Sequence, residues 1–165
     1  RQDGKFFRVE CAMVHGAGRE VPGWGQPLLR EQGPGVLVLA TYGDKFLVTM
    51  RQEPGNPVDK QYILLGPPLQ ASLGNMQQAH GGKRPPRAEF YDIPSVVWAD
   101  AYKDGGRFIE SLNRIGVVQF PFLTNPELLP DEVVLSRKDL KEAFFAGELN
   151  SHMREVIAFA MLLLG

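Results

Sequence analysis

Three short segments of the chain hold residue types that could bind or transform a polar ligand. In the first, "RQEPGNP" at residues 51–57, Arg51, Gln52 and Glu53 stand between an apolar run and a proline-glycine turn. Because a turn needs only the last residues of this segment, Glu53 and Arg51 are candidates for a general base and an anion clamp, with Asn56 facing the same pocket. A solvated ion pair that holds a surface turn explains the same residues equally well.

The other two segments lie further along the chain. In "LQASLGN", residues 69–75, small residues let a backbone approach a ligand and amides offer paired donors and acceptors, although a plain polar loop has the same composition. The cations of "KRPPR", residues 83–87, together with Arg107 and Arg114, suit a diphosphate or a solvated surface. His80 lies between these segments and is a second candidate for a general base.

The overall composition narrows the class of protein. The chain has 165 residues, of which 44% are hydrophobic and 22% charged, so we expect one globular domain over residues 1–165. A net charge of -1 with dispersed basic residues argues against nucleic-acid binding. Three isolated histidines and one cysteine show no metal-ligand spacing. The longest apolar stretch is too short for a membrane span, and we expect a cytoplasmic protein.

The order of the expected elements predicts an α+β fold. Residues 35–42 and 45–50 predict a hairpin joined by Gly43 and Asp44, and their continuous apolar character predicts a sheet buried on both faces. The remaining expected strands are 6–14, 61–65, 96–102 and 107–120, with a glycine-rich loop over 16–25 and a polar loop over 72–87. One helix is expected from Arg137 to about Ala146, with Ser136 as its cap and Gly147 as its stop, and a second from Asn150 or Ser151 to Leu164.

Several segments taken together resemble one known family. These are "GWGQPLL" (23–29), "RQEPGNP" (51–57), "LGPPLQASLGN" (65–75), "DGGRF" (104–108), "LNR" (112–114) and the C-terminal "LNSHMREVIAF". In order and spacing they resemble one repeat of the nucleotide-diphosphate-hexose 2,3-dehydratases of deoxysugar biosynthesis. Members of that family carry two such repeats, so the single repeat here implies a homodimer.

The resemblance implies a fold and a reaction. The fold would be Nudix-like, a mixed sheet flanked by helices. The activity would be loss of water from a thymidine-diphosphate 4-keto-6-deoxyhexose, without metal or other cofactor: a base removes the C3 proton, which the C4 ketone acidifies, and the C2 hydroxyl departs. The stretch 71–86 has no glutamate, so hydrolysis of the Nudix type, which needs a glutamate cluster for Mg²⁺, is not expected.

The matching motifs also assign residues to roles. Glu53 is the expected base, and His80 is the second candidate. The expected substrate contacts are Trp24 as pocket wall, Gln26 as polar contact, Asn56 beside Glu53 at the sugar, Gln70, Ser72 and Asn75 as the nucleotide-sugar cradle, and Arg107 and Arg114 at the diphosphate, with Arg51 as a further anion contact. The structural alternatives are that Trp24 is a core residue and that Glu53 holds its turn by pairing with Arg51.

Two departures from the family pattern leave other functions open. Pro68 stands where the family commonly has threonine, and Met76 stands where it has tyrosine, so two hydroxyl groups are missing. If either group carries a proton, the chain is a non-catalytic nucleotide-sugar binding module or subunit. A Nudix-like enzyme with an unrelated small-molecule substrate is the third possibility.

Overall fold

A seven-stranded mixed sheet forms the centre of the protein, whose computed structural model describes residues 7–16, 18, 20–53, 63–121 and 126–165. The strands are β1 (Phe7–His15), β2 (Gly23–Glu31), β3 (Gly35–Tyr42), β4 (Lys45–Arg51), β5 (Leu64–Gly66), β6 (Leu69–Ser72), β7 (Val97–Tyr102), β8 (Leu112–Phe120) and β9 (Glu132–Ser136). The helices are α1 (Leu73–Met76), a 3₁₀ helix (Ala88–Asp92), α2 (Arg137–Ala146) and α3 (Ser151–Leu164). This arrangement confirms the predicted α+β class.

The central strand β3 is buried along its whole length, as its unbroken apolar sequence predicts. Its alternate side chains enter two separate cores. Leu37 and Leu39 pack with α2 and α3 on one face, whereas Val36 and Val38 pack with the 3₁₀ helix on the other. Both faces of the sheet are therefore covered.

The hairpin of β3 and β4 opens part of the way along, and this opening positions the site described below. The two strands pair only from Ala40 to Tyr42 and from Lys45 to Leu47. Beyond that point the first half of β3 pairs with β6, and the end of β4 pairs with β5. On its other edge β3 runs parallel to β8. The ends of β4 and β6 therefore separate from each other close to the N-terminus of α3.

The two long helices begin and end where the sequence predicts. Ser136 caps α2 in a capping box with Asp139, and Gly147 follows its last residue. Asn150 caps α3, because its side-chain oxygen accepts a hydrogen bond from the backbone N–H of Met153 at 2.7 Å. The buried face of α3 carries Met153, Val156 and Ala160, which holds the start of this helix firmly against the sheet.

Other sequence-based boundaries are corrected by the structure. The expected loop 16–25 ends early, because β2 already begins at Gly23 and pairs antiparallel with β1. The expected strand 107–120 begins only at Leu112, because residues 107–109 bond to Leu29 of β2 instead. Strands β6 and β9 were not anticipated, since each is short and follows a proline-containing turn.

None of the helices in the described part of the chain is long and apolar enough to cross a membrane.

One buried ion pair ties the loop after α1 to the sheet, and it allows a stability prediction. Arg87 donates to both carboxylate oxygens of Glu132, whose side chain is only 1% exposed. Burial alone would raise the pKa of Glu132, but the hydrogen bonds from Arg87 and from the Leu129 N–H reverse this, and the net pKa is lowered. The charged form is therefore the one that the fold accommodates.

Replacement Arg87→Met removes the cation and leaves the Glu132 carboxylate buried, with the Leu129 N–H as its remaining donor among the described residues. We expect a loss of about 1.5–3 kcal/mol in the free energy of unfolding, measured by urea denaturation at neutral pH. The matched control is Arg84→Met, which breaks an exposed pair with Asp92 and should cost no more than about 1 kcal/mol. Equal effects of the two replacements would contradict a structural role for the Arg87 pair.

Candidate functional site

A wide pocket lies where β4 ends beside α3. Its volume is about 560 Å³ and its lining residues are Met50, Arg51, Gln52, Glu53, Gln70, Asp131 and His152. A volume of this order is typical of small-molecule sites. Three of the lining residues, Arg51, Gln52 and Glu53, come from the "RQEPGNP" segment, so this segment forms part of the pocket wall.

A narrow pocket of about 240 Å³ adjoins the wide one. It is lined by Glu31, Gly35, Leu37, Gln70, Ala71, Ser72, Asn75, Lys103, Asn113 and His152. Gln70 and His152 line both pockets, and we call the two together the cleft. Its lining combines carboxylates, amides, a hydroxyl, an imidazole and two cations, a set that suits a ligand rich in hydroxyl and other polar groups.

Asn150 connects the residues at the boundary of the cleft. Its Nδ2 donates to Glu53 Oε1 at 2.7 Å and to Gln70 Oε1 at 3.0 Å, while its Oδ1 caps α3. The three elements β4, β6 and α3 are therefore joined through one buried side chain. Gly66 makes room for it, because a Cβ at that position would lie 2.9 Å from Asn150 Nδ2 and 2.9 Å from Arg51 Cδ.

Arg51 has an incompletely satisfied guanidinium in the wall of the wide pocket. Its Nη2 donates to the Pro67 carbonyl at 3.4 Å, and its buried Nε has no hydrogen-bond partner among the described residues. Burial lowers the pKa of Arg51, against the opposing charges of Asp131 and Glu53. A guanidinium with an open donor fits an anionic or carbonyl oxygen of a ligand.

Asn113 provides an open acceptor in the narrow pocket. It is 3% exposed, and its Nδ2 donates to Glu155 Oε2 at 2.8 Å. Its buried Oδ1 has no partner within the described part of the chain. Lys103 lies close by and pairs with Glu31. Gly35 allows both side chains to enter, because a Cβ there would overlap Asn113 Oδ1 and lie 3.2 Å from Lys103 Nζ.

His152 stands in the first turn of α3 where the two pockets meet. Its side chain is 33% exposed, and its Nδ1 lies 3.8 Å from Glu155 Oε2, which is too far for a hydrogen bond but close enough for charge attraction. Burial lowers the pKa of His152. The nearby charge of Lys103 acts in the same direction, and those of Glu155 and Glu53 oppose it.

Five of the residues expected to bind or transform substrate lie together in the cleft. They are Arg51, Glu53, Gln70, Ser72 and Asn75. Ser72 also caps α1, since its Oγ accepts from the Asn75 N–H at 3.2 Å, which fixes both residues at the rim of the narrow pocket. The "RQEPGNP" and "LQASLGN" segments are therefore parts of one site.

The structure places Trp24, Gln26 and Arg107 elsewhere. Trp24 Nε1 donates to Gln26 Oε1 at 2.9 Å, and Gln26 in turn donates to the Gly106 carbonyl. Along β2 these two residues precede the cleft residue Glu31 by seven and five positions, or roughly 23 and 16 Å of extended strand. Arg107 is 73% exposed and pairs with its neighbour Asp104.

Arg114 and His80 are likewise outside the lining of the cleft. Arg114 follows Asn113 on β8 and so points to the opposite face of the sheet, where its guanidinium lies 5.0 Å from the ring centre of Trp98. The exposed loop residue His80 accepts a hydrogen bond at Nδ1 from the Gly82 N–H at 2.7 Å. Asn56 lies outside the described residues.

Sequence reasoning missed several residues of the cleft: Asp131, Lys103, Asn113, His152 and Glu31. His152 and Asn113 were already inside the "LNSHMREVIAF" and "LNR" segments that carry the family resemblance, so the signal was present. The approach of Lys103 to Glu31 across 72 positions is not visible in local sequence.

The two departures from the family pattern differ in their position. Met76 is 9% exposed and packs with Val36, Val38 and Phe90 in the core on the other face of the sheet. Pro68 is buried beside Pro67, whose carbonyl contacts Arg51. Neither position lines the cleft, but Pro68 adjoins the residue that contacts Arg51, whereas the Met76 side chain belongs to the opposite core.

Comparisons with known proteins identify the family of the chain. A family model described as NDP-hexose 2,3-dehydratase matches residues 1–160. The chain is similar to the dTDP-4-dehydro-6-deoxy-alpha-D-glucopyranose 2,3-dehydratase of Amycolatopsis orientalis, with 32% identity over 134 residues, which cover 72% of this chain and 27% of the relative. It is also 30% identical over 120 residues to the enzyme of the same name from Streptomyces violaceoruber, covering 68% of this chain and 26% of the relative.

A third relative with that name, from Saccharopolyspora spinosa, is 33% identical over 93 residues, covering 54% of this chain and 18% of the relative. The chain thus matches about a quarter or less of the length of these curated relatives. The family match, in contrast, runs over nearly the whole chain. The chain belongs to the NDP-hexose 2,3-dehydratase family.

Proposed function

We propose that this chain dehydrates a nucleotide-diphosphate 4-keto-6-deoxyhexose across C2 and C3, with a thymidine-diphosphate sugar as the substrate. Family membership supports the reaction, and the names of the three relatives support the nucleotide and the sugar. The observation that carries the proposal is the polar cleft, which gathers five of the motif residues in one place.

The two pockets suit different parts of such a substrate. The narrow pocket has about the size of a hexose and offers the open acceptor Asn113 Oδ1 beside the ammonium of Lys103. The wide pocket has room for the diphosphate and nucleoside, and Arg51 offers a cationic donor there. We therefore place the sugar ring in the narrow pocket, with its anomeric oxygen directed towards Arg51.

The reaction needs a base at C3, a donor at the C4 oxygen and an acid for the departing C2 hydroxyl. Glu53, the base expected from the sequence, provides a carboxylate in the lining of the wide pocket. His80, the second candidate, is not among the lining residues of the cleft, and we assign it no role. Ser72 and Asn75 are proposed to bind the substrate at the rim.

The Nudix-like architecture, the single domain over 1–165 and the homodimer belong to the same proposal. The two cores share one sheet, which supports a single folding unit. An apolar row on β1 supports a second copy as partner: Phe7 is 55% exposed, and Val9 and Met13 are each 66% exposed. Light scattering on the purified chain tests the dimer directly.

We propose a cytoplasmic location because a nucleotide-linked sugar is the substrate.

The test of the reaction is incubation with thymidine-diphosphate 4-keto-6-deoxyglucose, followed by trapping of the 3,4-diketo product with an aromatic diamine and mass spectrometry. Formation of the trapped adduct, dependent on the chain, is the expected result. Recovery of unchanged substrate contradicts the proposal, provided that the same preparation is folded by circular dichroism.

One observation favours a second function. Position 68, beside the Arg51 wall, holds proline instead of the family's hydroxyl residue, and a binding module without turnover would tolerate this change. Such a module would be stabilised by the nucleotide sugar, by about 2.7 kcal/mol at a ligand concentration 100 times Kd, while releasing no diketone. Failure of every nucleotide sugar to shift the melting temperature would point instead to an unrelated small molecule.

A further inference from the structure

His152 is the ionisable group at the point where the proposed sugar and diphosphate positions meet. It and Gln70 line both pockets, and of these two only the imidazole can exchange a proton near neutral pH. Glu53, in contrast, lines the wide pocket, and its Oε1 accepts from Asn150. On the proposed placement of the substrate, His152 is thus the group beside the sugar carbons.

The surroundings of His152 favour a neutral imidazole of one tautomer. Its position in the first turn of α3 places it at the positive end of the helix dipole, and burial lowers its pKa. Nδ1 faces Glu155 at 3.8 Å, and Asn113 holds that carboxylate by a 2.8 Å hydrogen bond. The negative charge of Glu155 beside Nδ1 favours the tautomer with its proton on Nδ1, which leaves the lone pair of Nε2 for a substrate.

Lys103 supplies a cation at the other side of the narrow pocket. Its side chain is 11% exposed, and it pairs with Glu31. An ammonium group has three donors, so two remain after the bond to Glu31. A buried cation of this kind stabilises negative charge that develops on a carbonyl oxygen.

We propose that His152 is the base that removes the C3 proton, and that Lys103 stabilises the enolate oxygen at C4. This assignment rests on the proposed dehydratase function. The C3–H bond breaks, its proton moves to Nε2 of His152, and its electron pair forms the enolate. The enolate then reforms the C4 carbonyl, a C2–C3 double bond forms, and the C2–O bond breaks. The proton on His152 is returned to the departing hydroxyl oxygen, so that water leaves. The C3 enol that remains tautomerises to the 3,4-diketone as its hydroxyl proton is lost and C2 gains a proton, and no external oxidant or reductant is needed.

The first test compares rates of C3 hydrogen exchange and of diketone formation in deuterated buffer. His152→Gln is expected to lower both rates about 10²–10⁴-fold, the usual contribution of a positioned base. Glu53→Gln keeps an acceptor oxygen for Asn150 and should act mainly on KM. His15→Gln, on the exposed end of β1, is the matched control and should leave the rates unchanged.

The second test is the pH profile. The charged and titratable groups around His152 are Glu155 on its own helix, Lys103, Glu31, Glu53, Arg51 and Asp131. Because the neutral imidazole is the active form, the wild-type rate should fall as the pH drops through the pKa of His152, which lies below its ordinary value of 6.5. This acid limb should be absent in His152→Gln, and added imidazole should partly restore the rate of His152→Ala.

The outcomes separate the two proposals. A wild-type chain that forms diketone while His152→Gln forms it at a similar rate overturns the role of His152 and leaves the dehydratase function standing. If Glu53→Gln loses most of the rate of diketone formation while His152→Gln keeps a normal rate, Glu53 is the base. A folded wild-type chain that neither exchanges C3 nor forms diketone overturns the dehydratase function, and the base with it.

Discussion

Gly35→Ala is expected to lower kcat/KM about 100-fold, because a displacement near 1 Å in a reacting site has an effect of that order. The added methyl group would overlap Asn113 Oδ1 and lie 3.2 Å from Lys103 Nζ. Neither side chain can move away freely. Asn113 is buried and bonded to Glu155, and Lys103 is paired with Glu31. The substitution therefore displaces the two groups that face the proposed sugar ring.

The measurement is diketone formation over a range of substrate concentrations, together with urea unfolding. Overpacking should also reduce the free energy of unfolding by about 1–3 kcal/mol, which leaves a folded protein whose kinetics can be measured. Gly105→Ala is the matched control, since a Cβ there meets nothing within 4 Å. Unchanged kinetics in Gly35→Ala would show that the reaction does not use the narrow pocket.

The core and the long helices could be predicted from the sequence because local patterns determine them. The eight-residue strand β3, which is apolar except for Thr41, requires cover on both faces. Ser136 and Asn150 have side chains that cap a helix wherever the following residues are helical. In each case the physical cause lies within a few positions of the residue, so a linear pattern is sufficient.

The cleft could be predicted only in part, for a related reason. Arg51 and Gln70 were found because each belongs to a short polar segment that stands out from its neighbours. Lys103, Asn113 and His152 have their partners 72, 42 and 3 positions away, and only the first two of these contacts require the fold. His152 was within reach of sequence reasoning, but its role depends on where α3 begins relative to β6.

Trp24 and Arg107 illustrate a different limit of reasoning from motifs. Both belong to segments that resemble the family, yet both lie in a cluster beside β2 rather than in the cleft of the same chain. A motif indicates that a segment is characteristic of a family, but it does not show that its residues share one pocket. The structure separates motif residues that line one cleft from those that have other neighbours.

Asn150→Asp is expected to have the largest effect on stability, about 3–5 kcal/mol at neutral pH, the usual cost of an uncompensated buried charge. Asn150 is 2% exposed. The new carboxylate would keep an oxygen for the cap of α3, but its second oxygen would replace the Nδ2 donor that lies 2.7 Å from Glu53 Oε1 and 3.0 Å from Gln70 Oε1. The contact with Glu53 becomes repulsive, whereas the Gln70 amide can turn its NH₂ group towards the new oxygen, and the helix cap is preserved.

The predicted pH dependence distinguishes this repulsion from simple loss of packing. Two carboxylates in contact share a proton with an apparent pKa above the ordinary carboxyl range. The folded variant then binds more protons than its unfolded chain, so its stability is highest below the ordinary carboxyl pKa and is lost as the pH rises through the raised one. Urea unfolding from about pH 4 to about pH 8 measures this slope.

Asn150→Ser is the matched control, because serine caps a helix but is too short to reach both Glu53 and Gln70. It should cost about 1–2 kcal/mol without the added pH slope, since it introduces no charge. If Asn150→Asp were as stable as Asn150→Ser at neutral pH, the Glu53 carboxylate would not be held against position 150. In that case β4 would not be fixed to α3, and the cleft would lack the connection that brings Glu53, Gln70 and His152 together.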